Sequence, residues 1–202
     1  MSGPATLRVD QVSVNRGGVV ALRDVTVAFP AGSATALVGP NGSGKTTLLE
    51  VLAGLRPVDR GAVLGRPSVV SLVSHGGRRP WLPLTVREVL RMARFVPGVL
   101  PRRLAARDHE AVDRAAGRLE VEGLLGVQMD ALSAGQCQRV MVAQALAREA
   151  PLILLDEPVT GLDLASQERI LQIVAEERTV GRTVVLSTHH LDEARHCDRV
   201  IL

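Results

Sequence analysis

The chain is almost without lysine. Of its 24 Lys plus Arg, one alone is lysine, Lys45. Aromatic residues are nearly as scarce, with one Trp, two Phe and no Tyr among 202 residues. Surfaces that stack single-stranded bases need aromatic platforms, so a nucleic-acid partner is not expected despite a formal net charge of +3. No apolar run approaches the roughly 20 residues that cross a bilayer, and the N-terminus lacks the basic, apolar and small-residue order of a secretory signal. A cytosolic location is expected. Cysteine is also sparse: Cys137 and Cys197 lack metal-ligand spacing and read as free thiols in a reducing compartment. With 46% hydrophobic residues, the chain can bury one large core and form one domain with room for a subdomain.

The lone lysine sits in Gly39, Pro40, Asn41, Gly42, Ser43, Gly44, Lys45, Thr46 and Thr47. This matches the P-loop pattern G-x-x-x-x-G-K-[ST]. The apolar run Ala34 to Val38 predicts a buried strand, and Lys45 to Leu55 has helical apolar spacing, so the glycines fall on a strand-to-helix turn. There, backbone N–H groups and a helix N-terminus can wrap a phosphate. Lys45 would bridge the β- and γ-phosphates, and the Thr46 hydroxyl would hold Mg²⁺.

Elsewhere, Leu7 to Val12 and Thr26 to Phe29 read as strands of an N-terminal antiparallel region, with a turn at Arg16, Gly17 and Gly18. Val69 to Val73 predicts another buried strand. The sequence from Thr85 to Glu88 is a capping-box pattern, predicting a helix that ends before Pro97, and a second helix is expected over about Arg107 to Leu119. Ile153 to Asp156 and Thr183 to Ser187 are apolar runs flanking the amphipathic segment Ser166 to Arg178, the βαβ alternation of a parallel sheet.

Asp156 and Glu157 end a hydrophobic run, where open α/β sheets bind ligands. Asp156 would hold the Mg²⁺ shell through water, and Glu157 would polarise the water that attacks the γ-phosphate. Ser133 and Gln136 fit a second capping box, and the small residues Ala134 and Gly135 leave the amides of that helix N-terminus open to a phosphate.

On the stretch Leu132, Ser133, Ala134, Gly135 and Gln136, together with the P-loop and the Asp156-Glu157 pair, the chain resembles the ATP-binding subunit of ABC transporters. That family's LSGGQ signature is met here with Ala134 in place of the first glycine. The resemblance covers essentially the whole chain. It implies an α/β fold: a P-loop core of mostly parallel sheet at residues 1–74 and 150–202, an N-terminal antiparallel region, and an inserted helical subdomain at 75–149. It implies ATP hydrolysis with ATP and Mg²⁺ as cofactors, and His189 as the switch histidine contacting the γ-phosphate. Thr160 to Asp163 would be the loop meeting the partner. A second copy is expected head to tail, its Ser133 to Gln136 closing on the ATP held by the first copy's P-loop. The subunit would sit on the inner face of the membrane, held by a membrane-spanning subunit, with a solute-binding protein as a further partner of an importer. The stretch from Pro83 to Val89 and the Thr160 to Asp163 loop look most similar to zinc- and manganese-type metal-ion importers.

The chain departs from the family pattern in three places. Arg16 stands where an aromatic usually stacks on adenine; guanidinium can stack on a π-face, and the alternative is an exposed turn residue. His75 is the nearest match to the glutamine that links Mg²⁺ to the transporter contact. The sequence ends at Leu202, in a predicted final strand, short of the C-terminal extension of many relatives. Arg87, Arg91 and Arg94 are expected on one solvated helix face, the alternative being a groove for a short helix of the membrane subunit. The group His190, Asp192, His196, Cys197 and Asp198 is read as a charged chain segment rather than a metal site. Two other functions fit the motifs, a soluble ABC-type ATPase and a weakly hydrolysing nucleotide-binding regulator.

Overall fold

The computed structural model describes residues 6–74, 83–95 and 103–202. In chain order the elements are β1 (Leu7–Arg16), β2 (Val19–Phe29), β3 (Ala34–Val38), α1 (Lys45–Ala53), β4 (Arg60–Leu64), β5 (Val70–Val73), α2 (Val86–Met92), α3 (Ala106–Arg118), α4 (Ala134–Ala147), β6 (Leu152–Asp156), α5 (Leu164–Thr179), β7 (Thr183–Thr188) and β8 (Arg199–Ile201). The chain divides into two compact units. One comprises Met1–His75, Pro151–Pro158 and Val174–Leu202; the other comprises Gly76–Ala150 and Val159–Ile173.

The first unit holds two sheets. β1 lies between β2 and β4 in an antiparallel sheet, and a parallel sheet runs in the order β5-β6-β7-β3-β8. β3, β6 and β7 are interior strands and are buried along almost their whole length, which is why their sequences are continuous apolar runs rather than alternating ones. Alternation survives in β1 on either side of an irregularity at Gln11, with Leu7 and Val9 before it and Val12 and Val14 after it turned inward. These residues join Phe29, Leu49 and Leu52 of α1, Leu154 and Val185 in one apolar cluster. β4 has no counterpart in the sequence expectations. Its residues are mostly exposed, so it shows no apolar run, and its existence depends on backbone pairing with β1.

In the second unit, α4 packs on α2 and α3. Thr85 and Ser133 begin α2 and α4 with complete capping boxes, each side chain accepting from the N–H three residues on. Arg94 departs from the expected solvated face. It lies beyond the end of α2, its side chain is only 15% exposed, and it donates to the fully buried Asp108 at 3.0 Å, to the Ala147 carbonyl at 2.8 Å and to Glu149 at 3.0 Å. A buried carboxylate needs such a partner, and only the packing of α3 and α4 supplies the site. Val159–Ile173 group with this unit through contacts such as Arg169 Nε to the Arg118 carbonyl at 2.6 Å.

Candidate functional site

Because the five strands of the sheet are parallel, the C-terminal ends of β3, β6 and β7 lie along one edge, with β7 between the other two. Each carries part of the candidate site. After β3 the chain turns through Gly42 and Gly44, both with positive φ, and enters α1 at Lys45. Gly44 admits no side chain: a Cβ there would stand 2.6 Å from the Ala21 carbonyl oxygen. Lys45 folds back over its own loop, donating from Nζ to the Gly39 and Pro40 carbonyls at 2.7 and 2.9 Å.

The Thr46 hydroxyl donates to Asp156 Oδ2 at 2.8 Å. Asp156, only 4% exposed, takes a second hydrogen bond at Oδ1 from the Ser187 hydroxyl at 2.5 Å. Glu157 follows in the left-handed region at φ 46°, an uncommon conformation for a residue with a side chain. Its N–H is shared between Ser187 Oγ at 3.0 Å and the Ser187 carbonyl at 3.2 Å. His189 follows β7 and places Nδ1 3.8 Å from Glu157 Oε2, with its ring 4.0 Å from that of His190. Behind it, Thr188 Oγ1 donates to the buried Glu193 at 2.6 Å and accepts from the His190 N–H at 2.9 Å, which holds the turn.

A cavity of about 730 Å³ opens here. Lys45, Thr46, Thr47, Asp156 and Glu157 line it together with Arg16, Val19 and Val20 of the β1–β2 hairpin. Thr46 and Asp156 offer a hydroxyl and a carboxylate, the hard oxygen donors that Mg²⁺ selects, so this donor set fits that ion. His75 lies outside the described residues.

The Ser133 to Gln136 stretch belongs to the second unit. Gln136 Oε1 accepts from the Ser133 N–H at 2.9 Å, and Ser133 Oγ accepts from the Gln136 N–H at 3.2 Å. Gly135 is buried, and a Cβ on it would come within 2.9 Å of Asp163 Oδ2 and 3.0 Å of Ser166 Oγ. Asp163 accepts from the Ser166 N–H and hydroxyl, each at 2.9 Å, and these bonds hold its carboxyl below the usual carboxylate range, the backbone bond contributing most. Asp192 pairs with Arg195 at 2.9 Å, Asp198 pairs with Arg178 and accepts from the Ala34 N–H, and no metal-binding group of His, Cys, Asp and Glu occurs among the described residues.

The family model described as ABC transporter matches residues 22–160, a span that runs from the hairpin through both carboxylates. The chain belongs to the ABC transporter family. It is 43% identical over 201 residues, 94% of this chain and 71% of the relative, to the hemin import ATP-binding protein HmuV of Streptomyces coelicolor. It is 35% identical over 208 residues, 97% of this chain and 80% of the relative, to the manganese transport system ATP-binding protein MntA of a Synechocystis species. Among solved structures it superposes on a dimeric bacterial ABC transporter cassette with a TM-score of 0.81 at 26% identity, covering 96% of this chain and 93% of that one. As an ABC transporter ATP-binding subunit, the protein is an ATPase: it binds ATP and hydrolyses it to drive transport through a separate membrane-spanning subunit. No helix among the described residues is long and apolar enough to cross a membrane. ABC cassettes dimerise and work with membrane-spanning subunits.

Sequence reasoning missed Ser187. The sequence offered one signal, a polar residue directly after the apolar run Val184 to Leu186; its place opposite Asp156 came only with the register of the parallel strands.

Proposed function

We propose that ATP lies in this cavity with its phosphates in the loop from Gly39 to Thr47 and its base against Arg16, Val19 and Val20. The observation that carries this reading is that one cavity joins the P-loop, both carboxylates and the hairpin. Lys45 exchanges the Gly39 and Pro40 carbonyls for β- and γ-phosphate oxygens, acting as a compact point charge. Thr46 and Asp156 would hold Mg²⁺, and His75 is assigned a further contact to it. When bound there, the ion would supply positive charge against the phosphate oxygens. Glu157 polarises the attacking water, and His189, beside it, contacts the γ-phosphate. Ser133, Ala134, Gly135 and Gln136 of a second copy close over the nucleotide, giving a head-to-tail homodimer in which each chain works as a core at 1–74 and 150–202 and a helical subdomain at 75–149.

The cargo is a metal or a metal chelate, supported by relatives named for hemin import, manganese transport and zinc import. The dimer sits on the inner face of the membrane, held by its membrane subunit, and a solute-binding protein delivers the cargo. A mainly apolar groove of about 530 Å³ beside Met92, Phe95 and Leu104 is the surface assigned to a short helix of that subunit.

Reconstitution with the membrane subunit in proteoliposomes tests the reading. ATP-dependent uptake of hemin, Mn²⁺ or Zn²⁺ is expected, and Glu157→Gln should abolish it while ATP still binds. Uptake of none of the three would refute the cargo class, and full turnover in Glu157→Gln would refute the assignment of the carboxylates.

A further inference from the structure

Ser187 is fully buried near the end of β7, in register with Asp156 on the neighbouring strand. A serine hydroxyl has one proton and two lone pairs, and here it is engaged in both directions. The proton goes to Asp156 Oδ1 at 2.5 Å, and Oγ accepts from the Glu157 N–H at 3.0 Å. Thr46 donates to the other oxygen of Asp156, so two hydroxyl donors from separate elements set the plane of that carboxylate. The Glu157 N–H that Ser187 accepts belongs to a residue in the left-handed region, a conformation that persists only where surrounding bonds hold it. Packing alone does not call for this group, because Val184, Val185 and Leu186 are buried beside it in the same strand. An apolar residue at this position would leave Oδ1 of a buried carboxylate without its β7 donor, and such unmet bonds are costly.

We propose that Ser187 is a positioning residue for ATP hydrolysis, orienting the Asp156 carboxylate and clamping the Glu157 backbone through a single hydroxyl. It rests on the roles proposed above for Asp156 and Glu157, and it acts through them without touching substrate.

The test compares Ser187→Ala, Ser187→Thr and Glu157→Gln in the full chain. ATP turnover is measured together with ADP affinity, the latter both in EDTA and with Mg²⁺. Loss of a hydrogen bond to a charged group predicts a fall in kcat of about 10- to 100-fold for Ser187→Ala, with ADP affinity in EDTA held within about twofold. The gain in ADP affinity on adding Mg²⁺ should shrink. Ser187→Thr keeps the hydroxyl and should recover turnover to within about threefold of the wild type. The proposal is overturned if Ser187→Ala turns over within about twofold of wild type, if Ser187→Thr is no better than Ser187→Ala, or if the Mg²⁺ gain is unchanged. It is equally overturned if Ser187→Ala loses ADP binding in EDTA, the mark of a merely structural role. Wild-type turnover in Glu157→Gln would instead remove the carboxylate roles themselves, whereas an inactive Glu157→Gln beside an active Ser187→Ala removes Ser187 alone.

Discussion

Thr46, the second residue of α1, donates its hydroxyl to the Asp156 carboxylate at the end of β6 across 2.8 Å, although 110 residues separate them. The parallel order β6-β7-β3 brings them together, since α1 leaves the same edge of the sheet at which β6 ends. The bond also answers a physical need: a carboxylate 4% exposed must be hydrogen-bonded to be buried.

Lys45→Ala should lose nucleotide binding. No other lysine exists in the chain, and Lys45 Nζ donates to the Gly39 and Pro40 carbonyls at the loop mouth, which phosphate oxygens would replace as its partners. Isothermal titration with ATP is the measurement, with an expected loss of at least about 10-fold, the scale of a charge-assisted hydrogen bond. Wild-type affinity in this variant would count against the phosphate site.

Arg16 lines the cavity with Val19 and Val20, and Val19 is 69% exposed, so an apolar and cationic surface stands where the base is proposed to lie. Arg16→Ala should weaken ATP binding by about 0.5–2 kcal/mol, the range of a cation–π contact, and Arg16→Tyr should restore it. Equal affinities in all three proteins would mean that the residue only forms the turn.

Gly135→Ala should destabilise the helical unit. Its Cβ would sit 2.9 Å from Asp163 Oδ2 and 3.0 Å from Ser166 Oγ, and both belong to short side chains tied to each other. Overpacking of this kind costs about 1–3 kcal/mol, measurable by urea unfolding. Ala134→Gly is the control and should stay within about 1 kcal/mol, the helix-propensity difference. A Gly135→Ala protein as stable as wild type would show that the Asp163 turn can yield.

Cys197 should resist alkylation. Burial, and then the charge of Asp198, pushes its thiol up to about 12, so the protonated form dominates at every pH below that value. Iodoacetamide at about pH 8 should label it at least about 10-fold more slowly than a model thiol, and at the ordinary rate once the protein is unfolded. Rapid labelling of the native protein, located by mass spectrometry, would contradict this.

Features built from neighbours within a few residues were legible in the sequence. The capping boxes at Thr85 and Ser133 formed as their spacing predicts, because the side chain and the N–H it binds are three residues apart and no distant partner is required. The strand-to-helix turn at Gly39 to Lys45 and the apolar runs of β3, β6 and β7 were legible for the same reason: local conformation and burial each leave their own pattern. Tertiary structure decided the rest. β4 exists because β1 offers it an edge, Arg94 is buried because Asp108 needs its charge, and Ser187 meets Asp156 because two parallel strands align in one register among several that their apolar sequences would allow. A sequence states what each residue can donate, accept or bury. Which distant group receives it depends on the order of the strands and the packing of the helices, and those follow from the folded chain as a whole.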